Sequence, residues 1–176
     1  MWPQDQLYRA PVNDFPPLWA SSWGDDEYGL WADLTITSNG ITATQKMRWI
    51  EPSQEGGFLM GSTQKERDSI QDKKIHEWAN QYETEPIARH VNNGFWLGNT
   101  PCTQSFWTAV VGSNPSHFKN APNAANLPVE NIAFKDDKNK ESSVVNFLEL
   151  LNQNLQSLSP NELNPRALIK ADLPTE

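Results

Sequence analysis

The chain has 176 residues, room for one ordinary domain with a single core. Its formal net charge is −8, from 14 Lys plus Arg against 22 Asp plus Glu, and no basic cluster offsets it, so phosphate backbones and anionic membranes are poor partners. Mean hydropathy is −0.67 and no apolar run approaches the roughly 20 residues of a membrane span, while a single cysteine, Cys102, excludes a disulfide scaffold.

The start, MWPQDQLYRAP, lacks the basic and apolar regions of a signal peptide, and the expected compartment is the cytoplasm. Residues 1–29 read as irregular, because Pro3, Pro11, Pro16 and Pro17 interrupt any period. Trp2, Tyr8, Phe15, Trp19 and Trp23 are scattered there, so the segment is either a coil anchored by aromatics or a tail. Leu30, Ala32, Leu34 and Ile36 then alternate with polar residues and Trp31, the period of a half-buried strand. Asn39-Gly40 follows, a pair suited to the two positive φ angles of a type I′ turn. A β-rich run from Ile41 to Ile50 completes an antiparallel hairpin over about Leu30–Ile50.

Gly56-Gly57 leads into the short apolar piece Phe58-Leu59-Met60, closed by Gly61. Thr63–Glu85 is highly polar. Ile75, Trp78 and Tyr82 stand at i, i+3, i+7, so the stretch holds a short amphipathic helix or is a long surface insertion. Arg89–Leu97 reads as a strand bent at Asn92-Asn93-Gly94. Thr100-Pro101 reads as an N-cap and first helical residue, opening a helix through Val111 with Gly112 as its stop. Asn114–Pro128 is a loop, and Val129–Phe134 a short strand. Val144, Leu148, Leu151, Leu155 and Leu158 repeat at spacings of 4, 3, 4 and 3, a second helix capped by Ser142 or Ser143 and ended by Ser159-Pro160.

Few residues offer chemistry. Cys102 is the only thiol; at a helix start the macrodipole would lower its pKa, whereas a packed thiol would be inert. His76, His90 and His117 match no local metal motif. Asp25-Asp26-Glu27, between Trp23-Gly24 and Tyr28-Gly29, forms a solvated turn or takes a cation or a basic partner. Eight Trp against three Tyr suggest an irregular core or a binding surface. From the residues alone, no catalytic, cofactor or metal site is assigned.

The order of small motifs carries more. Phe58-Leu59-Met60-Gly61-Ser62 is followed by Glu85-Pro86, His90-Val91 and Gly94-Phe95-Trp96-Leu97-Gly98. Then come Thr100-Pro101-Cys102-Thr103-Gln104, Val111-Gly112-Ser113-Asn114-Pro115-Ser116-His117-Phe118, Leu127-Pro128-Val129-Glu130-Asn131 and Leu173-Pro174-Thr175-Glu176. The set resembles the formylglycine-generating enzyme family, or sulfatase-modifying factor domain. Trp19–Trp49 resembles an extension that precedes this domain in some bacterial members.

The resemblance implies an α+β, C-type-lectin-like fold, incomplete here, with short antiparallel strands, two main helices and much loop. It divides the chain into an extension over 1–50 and the front part of the domain over 51–176. Active members oxidise a substrate cysteine to formylglycine with oxygen and a copper-binding cysteine pair. That pair, and the calcium sites, lie beyond the L-P-T-E motif. Cys102 stands where the family has Val and aligns with neither catalytic cysteine. The expectation is therefore a truncated domain, inactive alone, with no cofactor of its own. The rival reading is a non-catalytic ligand-binding module of the kind found among retroelement variable proteins. Expected partners are a protein or peptide, or a separately encoded C-terminal half.

Overall fold

The computed structural model describes residues 15–53, 57–135, 139, 142–158 and 171–172. The readings placed on residues 1–14, on Gly56, on the Ser159-Pro160 stop and on Leu173-Pro174-Thr175-Glu176 lie outside the described residues. The fold is α+β. It divides into two compact units, Ile50–Phe95 and the remainder, Met1–Trp49 with Trp96–Glu176.

The larger unit is built on a four-stranded sheet. Strands β1 (Ala20–Asp26), β2 (Gly29–Ser38), β3 (Ile41–Ile50) and β6 (Phe95–Gly98) lie side by side in that order. The β2–β3 hairpin is the one its sequence predicts. Asn39 and Gly40 take φ values of 52° and 71°, the positive pair a type I′ turn requires. From there the register runs unbroken from Ser38↔Ile41 to Trp31↔Arg48. Leu30, Ala32, Leu34 and Ile36 all point to one face and are buried.

That face is covered by two helices, α3 (Gln104–Val111) and α4 (Val144–Leu158). Phe106, Trp107, Ala109 and Val110 from α3 meet Phe147, Leu151 and Leu155 from α4 in one cluster with the β2 residues. Trp107 stacks on Phe147 with ring centroids 4.7 Å apart and planes 7° from parallel. Gly112, at φ 91°, ends α3 in the left-handed conformation, and its N–H closes on the Thr108 carbonyl. Ser143 caps α4 by accepting from the Asn146 N–H at 3.4 Å.

Four expectations need correction. Residues 20–26 are a strand and not irregular chain: Ser21 and Ser22 bond to Asp33 and Thr35 of β2, so side-chain hydrogen bonds supply what an apolar period normally would. Helix α3 begins at Gln104 and not at Pro101. Thr103 is its N-cap, accepting from the Phe106 N–H at 3.2 Å, while Thr100 is engaged by the Gln45 amide of β3. Residues 89–97 are not one strand. Their first part belongs to β5 (Ile87–Arg89), paired with β4 (Phe58–Met60), and their last part to β6 in the other sheet. Residues 129–134 form no strand, because Asn131 turns to φ 58° and the Val129 and Glu130 N–H groups go to Cys102 O and Ser116 Oγ.

The smaller unit holds the β4–β5 ribbon and two helices, α1 (Gln64–Asp68) and α2 (Lys73–Tyr82). Thr63 and Glu66 form a reciprocal capping box at the start of α1, and Asp72 caps α2. Arg67 is buried in this unit, together with Ala79 of α2. Its guanidinium donates to the carbonyl and hydroxyl of Ser62, to Gln64, to Asn80 and to Glu85, so one cation ties both helices to the loops around them.

Candidate functional site

The residues singled out for chemistry are held in separate places. Cys102 precedes the N-cap of α3 and lies outside its first turn. Its side chain is partly buried against the core and faces the Thr103 carbonyl at 3.7 Å. Burial pushes the thiol up to about 12, which fits the packed, inert alternative and not a thiol lowered by a helix start.

The histidines do not meet. His76 sits on α2, 3.6 Å from an Asp68 carboxylate oxygen and 3.0 Å from the Asn80 amide. His90 is exposed just after β5. His117 packs edge-on against Phe118 at 4.9 Å. Among the described residues, no group of three or more His, Cys, Asp or Glu gathers as a metal site.

The acidic turn is resolved by β3. Asp26 receives both terminal nitrogens of Arg48, at 2.6 and 2.9 Å, and the Tyr28 N–H at 2.9 Å. The Arg48 bonds hold the Asp26 carboxyl below the usual carboxylate range. The basic partner of Asp26 thus belongs to this chain. Beside it, Lys46 bonds Asp33 directly across the hairpin at 3.1 Å, and its ammonium lies 3.2 Å from the Trp31 ring centre.

The convergent polar cluster of the larger unit lies elsewhere, in the loop between α3 and α4. Gln104 is fully buried in the first turn of α3. Its side-chain oxygen accepts from the Asn114 amide at 2.9 Å, and its backbone N–H donates to Leu127 O at 2.8 Å. The Asn114 carbonyl oxygen accepts from the Ser116 N–H at 3.0 Å, closing a local turn. Ser116, also buried, accepts from the Glu130 N–H at 3.2 Å, and the Glu130 carboxylate accepts from the Phe118 N–H at 2.8 Å. That last bond, with a further one from His117, holds the Glu130 carboxyl below the usual range. Gln104, Asn114, Ser116 and Glu130 therefore tie three separate segments into one network.

In the sequence these four residues stand out only as parts of motifs. Gln104 carries a signal: a polar side chain two and three positions ahead of Phe106 and Trp107, where α3 enters its core. Gln45 carried a similar signal, since it shares the inward face of β3 with Ala43 and Met47. Arg67 carried none, because its partners are spread from Ser62 to Glu85.

Comparison with protein-family models, with curated proteins and with solved structures returns no match.

Proposed function

We propose that this chain is the framework part of a formylglycine-generating-enzyme-like domain, with a C-type-lectin-like arrangement, and that its own residues do not perform the oxidation. The reading is supported chiefly by the Gln104–Asn114–Ser116–Glu130 network. Its members come from three of the motifs that carry the resemblance, and all three motifs meet there. Residues bonded in this way fix the loops they join.

The copper chemistry of the family needs two thiolates. The donor set here does not fit it: the sequence has one cysteine, and that thiol is buried with its pKa raised to about 12. The family's substrate, a cysteine-containing sulfatase segment, remains the substrate class that a domain built on this framework would serve.

The test is to incubate the purified chain with a cysteine-containing sulfatase peptide, oxygen and Cu(I), and to follow the peptide by mass spectrometry. The expected spectrum shows unchanged cysteine. Formation of formylglycine would sink the reading. The framework role is checked separately by hydrogen exchange: Asn114→Ala is expected to speed exchange at Ser116 and Phe118 while β2 and β3 keep their protection.

A further inference from the structure

The sequence holds two Asn-Gly pairs, Asn39-Gly40 and Asn93-Gly94. Such a pair is chemically special. A glycine nitrogen has no Cβ beside it to hinder attack on the carboxamide of the preceding residue. By local sequence the two pairs are equally open to this attack. The structure treats them differently.

Asn39-Gly40 is held by backbone and side chain together. The two residues take φ values of 52° and 71° at the tip of the β2–β3 hairpin, and the ladder is paired up to Ser38↔Ile41. The Asn39 amide nitrogen donates to the Ala109 carbonyl at 3.0 Å. The Asn39 Cγ, the atom that would be attacked, lies against Gly112, where an added Cβ would come within 3.3 Å of it. Closing a ring there breaks the Ala109 bond, because the donating nitrogen is the one that leaves.

Asn93-Gly94 has none of these restraints. The chain bends at Asn93 between β5 and β6, and Asn92 and Asn93 are both exposed. Among the described residues, neither the Asn93 side chain nor the Gly94 N–H has a hydrogen-bond partner. Nucleophile and carboxamide are therefore adjacent, accessible and unengaged.

We propose that Asn93 is a site of spontaneous modification, at which Gly94 converts it to isoaspartate or aspartate while Asn39 is spared. The Gly94 nitrogen gives its proton to water and bonds to the Asn93 Cγ. The bond from Cγ to the amide nitrogen breaks, and ammonia leaves a cyclic imide behind. Water then opens the ring. Attack at Cγ gives aspartate; attack at the main-chain carbonyl gives isoaspartate, with the main chain running through Cγ. Water enters, ammonia departs, and nothing is oxidised or reduced. Each conversion adds a carboxylate to a chain already at −8, and isoaspartate adds a methylene to the main chain just ahead of β6.

The test holds the full chain at mildly alkaline pH and physiological temperature, folded and in denaturant, and follows both pairs by tryptic mapping with tandem mass spectrometry. Cleavage at Lys46, Arg89 and Lys119 places the pairs in different peptides. In denaturant the two should convert at similar rates. In the folded chain Asn93 should convert roughly tenfold or more faster than Asn39, whose reaction waits on local opening of the hairpin tip. Isoaspartate is distinguished from aspartate by an isoaspartyl carboxyl methyltransferase, which passes a labelled methyl from the sulfonium of S-adenosylmethionine to the free α-carboxylate; the label should fall on the Asn93 peptide. Gly94 is not among the residues at positive φ, so alanine fits its backbone, and Gly94→Ala should slow the conversion roughly tenfold by crowding the nitrogen. Three results would overturn the proposal. One is a folded chain in which Asn93 stays intact while the denatured chain converts. Another is a folded chain in which Asn39 converts as fast as Asn93. The last is a Gly94→Ala chain, folded by its melting temperature, that converts at the wild-type rate. The first two need no variant, so they decide the matter even if Gly94→Ala does not fold.

Discussion

Asn39 has two tasks, and they can be separated by substitution. It occupies a left-handed position in the hairpin turn, at φ 52°, and its side-chain amide donates to the Ala109 carbonyl of α3 at 3.0 Å, 70 residues away. Asn39→Gly keeps the turn and removes the bond. The net worth of one such bond is about 0.5–1.5 kcal/mol, and glycine adds about 0.5–1 kcal/mol through the freer unfolded chain. A loss of about 1–2.5 kcal/mol is expected. Asn39→Ala removes the bond and also forces a Cβ-bearing residue without a polar side chain into the left-handed region, at a further cost of about 1–2 kcal/mol. The expected total is about 1.5–3.5 kcal/mol, or a melting temperature lower by about 3–14 °C for a chain of this size. Asn39→Asp keeps the turn preference but aims an acceptor at a carbonyl near the negative end of α3. It should cost more at neutral pH than in acid, where the protonated carboxyl can donate to Ala109. Chemical denaturation followed by Trp fluorescence at two pH values measures all three. If Asn39→Gly matches the wild type, the Ala109 bond contributes nothing. If Asn39→Ala is no worse than Asn39→Gly, the turn argument fails.

The core offers a second perturbation: Leu151→Ala, at a buried position of α4, is expected to cost about 2–5 kcal/mol, while Glu149→Ala on the exposed face of the same helix stays within about 0.5 kcal/mol by the same denaturation assay. Cys102 should alkylate with iodoacetamide only on unfolding. A thiol pushed up to about 12 carries about a thousandfold less thiolate at neutral pH than a free cysteine, and rapid modification of the native chain would refute its burial. For Glu130 the folded-state pKa is depressed, chiefly by the Phe118 N–H, so its contribution is present above the ordinary carboxylate range and lost as pH falls through the folded value. The melting-temperature gap between wild type and Glu130→Gln should therefore be open at neutral pH and close in acid; a gap that widens in acid contradicts the assigned bond.

What could be read in advance was set by local rules. The β2–β3 hairpin needed only the alternation of Leu30 to Ile36 and the positive φ that Asn39 and Gly40 accept. Helix α4 needed only its apolar spacing. Helix α3 was legible in its body and displaced at its start, because Thr100 and Thr103 are equally good caps in sequence and Gln45, 55 residues from Thr100, decides between them. Strand β1 was hidden because Ser21, Ser22 and Asp26 make its contacts through polar side chains at a sheet edge. The motifs at Gln104, Asn114, Ser116 and Glu130 were visible as an ordered set, but their role was not. A hydrogen bond between residues 10 to 24 positions apart leaves no periodic trace. The raised pKa of Cys102 likewise depends on what surrounds it and not on its neighbours in sequence.

Helices α2 and α4 show how far periodicity reaches. Both carry apolar residues at helical spacing, and on that pattern alone both should turn it inward. Leu151 and Leu155 do, against Phe106, Trp107 and the buried face of β2. Ile75, Trp78 and Tyr82 do not, because the inward side of α2 is claimed by a different interaction. Arg67 is buried, and a buried guanidinium must have its donors satisfied or cost several kcal/mol (about 3–5 for a broken buried pair). Asn80 supplies one of those acceptors from α2, and this fixes the rotation of the helix about its own axis. Once that rotation is set, the stripe has no remaining choice. The hydrophobic period thus states that a face favours cover, and the polar network decides which direction the cover comes from. In α4 it comes from the chain's own core. In α2 the chain supplies none, and Ile75, Trp78 and Tyr82 stay more than half exposed.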